Sequence, residues 1–116
     1  MPVYNKLVRD GIPQIIEQDN HTYTMRTLSD EEYVLELRKK LGEELQEYLQ
    51  ADNDKDAIEE LADVLELMHA LTTVHGSSPD ALEQIRRKKA DKRGGFAKKL
   101  FLIETHAITT ATAKDD

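Results

Sequence analysis

The chain contains no cysteine, which excludes disulfides, thiolate metal sites and thiol nucleophiles. No apolar run approaches the roughly 20 residues needed to span a membrane. The opening stretch MPVYNKLVRDG lacks the apolar core of a signal peptide, so a cytoplasmic location with no membrane partner is expected. Aromatic residues make up only 5% of the chain and charged residues 34%, a balance that favours a soluble helical protein. No glycine-rich loop that would cradle phosphates is present, and no Ser/His/Asp spacing reads as a triad. There is no internal repeat and no interdomain linker. The 116 residues therefore read as one domain over residues 1–104, with residues 105–116 an expected disordered tail. A domain this small gains from burying more surface in an oligomer.

Charge is abundant, and it is segregated. Residues 86–99 carry Arg86, Arg87, Lys88, Lys89, Lys92, Arg93, Lys98 and Lys99 against Asp91 alone, a local charge of +7. The net charge of the whole chain is -7, so the remaining residues carry -14. Such an acidic majority repels an extended nucleic-acid backbone, so no nucleic-acid partner is expected. A compact polyphosphate bridged to the acidic part by metal suits the pattern. A solvated helix end that complements its own dipole is the competing account.

Helical spacing dominates the middle of the chain. Asp10 is placed to cap a short helix containing Pro13, with Ile12, Ile15 and Ile16 on its buried side. HTYTMRT, residues 21–27, alternates like a short strand or loop. Ser29 and Glu32 form a capping box for a helix ending near Leu49 or Gln50. Its apolar stripe comprises Val34, Leu37, Leu41, Leu45 and Tyr48, with Arg38, Lys39 and Lys40 at solvent positions. Gly42 inside this helix implies either close backbone approach or simple tolerance. Asp52 or Asp54 caps the next helix, which runs to about Val74 with Gly76 as terminator. Apolar residues on most sides of that helix predict the buried centre of a bundle. Ser78 and Pro79 open a last helix that turns Leu82 and Ile85 inward and stops at Gly94 and Gly95. Phe96, Leu100, Phe101 and Leu102 then pack back on the helices or on a second subunit. The expected fold is all-α, a compact bundle of about four helices, its two central helices antiparallel.

Four carboxylates occupy the edges of those two central stripes. Glu44 and Glu47 are neighbours at i, i+3 on one helix; on the next, Glu60 sits between the directions of Val64 and Leu67, and Asp63 repeats the spacing beside it. Partly buried like charges are costly unless a cation lies among them, and hard divalent cations take oxygen ligands. A site for Mg²⁺ or Mn²⁺ therefore accounts for them, although acidic pairs of this spacing also serve merely to solvate an exposed face. His69 and His75 read as a polar position on the buried helix and a C-terminal charge partner rather than as ligands.

YNKLVRDGIPQII, LSDEEYVLELRKKLGEELQEYL, EELADVLELMHAL and RRKKADKRGGFAKKLFL, in that order over residues 3–102, resemble the MazG-related, phosphoribosyl-ATP pyrophosphohydrolase-like proteins. That resemblance implies an all-α, Mg²⁺-dependent nucleoside triphosphate pyrophosphohydrolase that cleaves between the α and β phosphates. The branch it suggests is single-domain, house-cleaning of abnormal or excess nucleotides, and assembled as a homodimer or homotetramer. It implies Glu44, Glu47, Glu60 and Asp63 as metal ligands, with Glu43 or Glu59 as outer ligand or proton acceptor. Lys6, Arg9 and Arg93 would counter phosphate charge. Gly11 stands where the family pattern has Lys. The alternatives are hydrolysis of phosphoribosyl-ATP, and a non-catalytic acidic interaction module.

Overall fold

A computed structural model describes residues 2–109. Residues 110–116 of the expected tail lie outside the described part. The protein is all-α: α1 (Ile12–Gln18), α2 (Asp30–Leu49), α3 (Asp54–Val74) and α4 (Pro79–Arg93), with no strand among the described residues. The chain divides into two compact units between Glu83 and Gln84, within α4.

The first unit is built on α2 and α3, which make the most extensive helix–helix packing among the described residues. Only residues 50–53 separate them, and so short a connection makes packed neighbours antiparallel. Ser29 caps α2 as anticipated: its hydroxyl accepts from the Glu32 N–H at 3.2 Å, and the Glu32 carboxylate accepts from the Ser29 N–H at 3.2 Å. Such caps contribute about 1 kcal/mol. Glu32 also receives both guanidinium nitrogens of Arg26, at 3.1 and 2.7 Å. Arg26 first, and the Ser29 N–H second, hold this carboxyl down at about 2. Residues 21–27 are consequently a loop tied to the start of α2 rather than a strand.

Two helix starts differ from the sequence reading. Asn53, not Asp52 or Asp54, caps α3: its backbone is extended and its side-chain oxygen accepts from the Asp56 N–H at 2.8 Å, which leaves Asp54 as the first helical residue. Gly11, not Asp10, occupies the cap of α1, with no side-chain hydrogen bond. The end of α3 follows expectation. Gly76 takes φ 70°, the Ser77 N–H reaches the Thr72 carbonyl at 2.8 Å, and the Gly76 N–H reaches Thr73 at 3.0 Å, so the last carbonyls are satisfied. α4 opens on Ser78, whose hydroxyl accepts from the Ala81 N–H at 3.1 Å.

Burial is sparser than the apolar pattern implied. Leu37, Val64 and Leu67 form the buried apolar core, joined by Glu44 and Thr72. The Thr72 hydroxyl satisfies itself on the His69 carbonyl at 2.6 Å. α3 is not enclosed: Ile58, Leu61, Leu65 and Met68 are exposed along it. Ile15 and Ile85 are exposed too, as are Phe96, Leu100, Phe101 and Leu102. A Cβ at Gly42 meets nothing within 4 Å, so the glycine is tolerated in open space rather than required by a close backbone.

The inward direction of each helix is rotated from the centre of its apolar stripe. At about 100° per residue, buried Val64 and Leu67 bracket Glu60, while Leu61, central to the apolar face of Ile58, Val64, Leu65, Met68 and Leu71, lies roughly 90° away. On α2 the buried direction runs through Leu37 and Glu44. Glu60 thus lies between Val64 and Leu67 as expected, and Glu44, expected on the flank of its stripe, is in the buried direction of α2.

Candidate metal centre

Glu44 is the one charged residue that is buried among those described, because it lies two turns along α2 from buried Leu37, in the same direction. Glu60 is half-buried and Glu47, one turn beyond Glu44, is exposed. Each of the three offers a carboxylate oxygen within 4.8 Å of the others. Glu44 Oε2 and Glu60 Oε2 are buried with no hydrogen-bond partner among the described residues. Three acids at this separation cannot all ionise cheaply. Glu60 registers the strain: its carboxyl is pushed up to about 7, first by sharing a hydrogen bond with Glu44, then by burial, then by Glu47.

Lys40 provides partial compensation. Its ammonium lies 3.7 Å from Glu44 Oε1, one turn along α2, and it is half-buried rather than at a solvent position. The i, i+4 spacing of Lys40 and Glu44 was the available signal. A lysine at that distance does not satisfy Glu44 Oε2. Unpaired carboxylate oxygens converging from two helices form a hard, all-oxygen donor set, so this acidic triad can hold a metal ion.

Asp63 is held apart from the triad. Arg9, from the segment before α1, donates Nη2–H to Asp63 Oδ1 at 2.6 Å. Two residues assigned separate tasks, a ligand and a phosphate contact, are therefore paired with each other. Because Arg9 occupies Asp63, Arg9→Met is expected to tighten metal binding several-fold, read by calorimetric titration. An unchanged metal affinity would show that Asp63 stays out of the metal site even when released.

The remaining candidates are dispersed. Lys6 lies over the Tyr4 ring, 5.4 Å from its centroid, and lines a small crevice with Leu7, Glu36, Lys39, Lys40 and Glu43. Glu43 is thus set among lysines on α2. Glu59 is exposed and reaches Lys55 at 3.4 Å. Arg93 is the exposed last residue of α4, in the second unit. His75 serves as the C-cap residue of α3 and His69 is half-buried; neither joins the carboxylate cluster.

Residues 8–90 match the sequence pattern of the phosphoribosyl-ATP pyrophosphohydrolase family. The chain belongs to that family. The matched range contains all four motif carboxylates and Arg9, and it leaves Lys6 and Arg93 outside. Over 54 residues the chain is 46% identical to an uncharacterized protein of Mycolicibacterium smegmatis, a match covering 47% of this chain and 55% of that protein. The likeness therefore spans about half of that relative's length. No solved structure matches this member of the phosphoribosyl-ATP pyrophosphohydrolase family. No helix of the described residues is long and apolar enough to cross a membrane.

Proposed function

We propose that the protein is a cytoplasmic, Mg²⁺-dependent nucleoside triphosphate pyrophosphohydrolase that converts a nucleoside triphosphate and water to the monophosphate and pyrophosphate. The observation that carries this reading is the triad of buried Glu44, half-buried Glu60 and exposed Glu47, with unpartnered oxygens on Glu44 and Glu60, in a chain of the phosphoribosyl-ATP pyrophosphohydrolase family. Glu44, Glu47 and Glu60 would hold Mg²⁺ or Mn²⁺, with Asp63 added when Arg9 leaves it. Bound there, the metal neutralises phosphate oxygens and acidifies water.

The other roles belong to the chain's own side chains. Arg9, released from Asp63, binds a phosphate oxygen, and Lys6 lies in the same N-terminal segment to counter further charge. Arg93 is assigned the same task. Glu43, bordered by Lys39 and Lys40, accepts the proton of the water whose oxygen bonds to the α-phosphorus as the α–β anhydride bond breaks. Glu59 is the second choice for that acceptor. The exposed apolar residues of α3 favour a homodimer or homotetramer as the working form.

The family match favours phosphoribosyl-ATP as a second reading of the substrate. A pyrophosphate-release screen over ordinary, deoxy and modified nucleoside triphosphates and phosphoribosyl-ATP, each with Mg²⁺ or with chelator, separates the two. Mg²⁺-dependent release from a nucleoside triphosphate is expected. Release from phosphoribosyl-ATP alone would replace the substrate, and release from none would leave a non-catalytic helical module.

A further inference from the structure

Arg9 and Asp63 lie 54 positions apart in the chain, both inside the first compact unit, and the hydrogen bond from Arg9 Nη2–H to Asp63 Oδ1 at 2.6 Å joins them. That contact links the two chemistries of the site. Asp63 stands one turn beyond Glu60 on α3, about 4.5 Å along the helix axis, which makes it the next carboxylate towards the triad of Glu44, Glu47 and Glu60. Its oxygens are nevertheless not among those that converge.

The pair faces water, with Arg9 55% and Asp63 41% exposed. An ion pair so exposed is worth no more than about a fivefold shift in an equilibrium, so a stronger partner displaces either member. The stronger partners carry opposite charges. For Asp63 it is a divalent cation, a hard ion that takes carboxylate oxygens. For Arg9 it is a phosphate, whose oxygens match the guanidinium fork through two parallel N–H···O bonds, whereas the bond to Asp63 uses one nitrogen, Nη2.

We infer that Arg9 and Asp63 form an exchange latch that couples anion binding to cation binding. A phosphate group that takes Arg9 frees Asp63 for the ion, and an ion that takes Asp63 frees Arg9 for the phosphate. The latch rests on the metal and phosphate roles proposed above and adds their dependence on each other. In the free protein each group masks the other, which holds down the affinity for either ligand alone. By linkage the two ligands then strengthen each other by the same factor. That factor is several-fold, the scale of one exposed pair. The consequence is an order of events: the unliganded protein resists idle metal, and the cation is best taken up together with a polyphosphate.

Two double-mutant cycles on the full chain, read by calorimetric binding rather than turnover, test the latch. With Mn²⁺ as probe and no anion, Arg9→Met is expected to tighten binding about fivefold, and in an Asp63→Asn background to change it less than about twofold. With chelator present and inorganic phosphate as probe, Asp63→Asn is expected to tighten binding about fivefold, a gain lost in the Arg9→Met background. Both side chains are exposed, so the helical circular-dichroism signal should match the wild type in every variant. Long-range charge alone would give equal gains in both backgrounds. Equal gains in either cycle, or no gain at all, overturn the latch, and a positive pyrophosphate-release screen then leaves the pyrophosphohydrolase standing. Non-additive cycles in a protein that releases no pyrophosphate keep the latch and overturn that activity.

Discussion

Replacing Glu60 by Gln is expected to lower turnover by two to three orders of magnitude, the roughly hundred- to thousandfold scale seen when one electrostatic element of a catalytic site is removed. Helical content should remain at the wild-type level. The position explains both effects. Glu60 lies between the buried residues Val64 and Leu67 on the face of α3 turned to α2, with its carboxylate beside those of Glu44 and Glu47. An amide retains the shape and one acceptor oxygen while removing the negative charge that a divalent cation requires. It also removes a like charge from a crowded site, so the metal-free variant should melt above the wild type near pH 8. Steady-state kinetics and thermal melts on the same preparations test the pair of effects. Wild-type turnover in Glu60→Gln would remove Glu60 from the chemistry.

Stability should depend on pH and Mg²⁺ together. The Glu60 carboxyl is pushed from an ordinary 4.5 up to about 7 in the folded protein. Between those values the folded state binds more protons than the unfolded state, so metal-free stability falls as pH rises through this window. Glu32 acts with the opposite sign lower down: held at about 2, it contributes stability that is lost as pH falls from 4.5 towards 2. The two windows do not overlap, and the wild type minus Glu60→Gln difference isolates the upper one. Mg²⁺ should reverse the loss. At a hundred times its Kd a ligand stabilises by about 2.7 kcal/mol, and about 1 kcal/mol shifts the Tm of a domain of roughly this size by 4–8 °C. A rise of roughly 10–20 °C is therefore expected near pH 8 and almost none near pH 5, where a proton competes for the site. Differential scanning fluorimetry with Mg²⁺ or with chelator measures both. An equal Mg²⁺ effect at the two pH values would place the ion elsewhere.

Much of the local structure was written in short-range patterns. The Ser29 and Glu32 capping box, Gly76 at the end of α3 and the Ser78–Pro79 start of α4 are each decided by a few adjacent backbone groups. The cap of α3 shows the limit of that reading. Three polar residues, Asp52, Asn53 and Asp54, were all chemically able to cap, and only the extended backbone at Asn53 selected one. Arg26 reaching Glu32 across a loop had no periodic signature at all.

By itself the sequence determined an all-α chain, the pairing of α2 with α3 and the set of acids between them, because helical period and turn length are properties of neighbouring residues. Tertiary structure decided which direction along each helix was inward. Two helices meet along one line, and that line runs through Glu44 and Glu60 instead of the hydrophobic centres of their stripes. It also decided that Asp63 faces Arg9, a partner 54 residues away. No local pattern carries that distance, since it depends on where the N-terminal segment crosses α3.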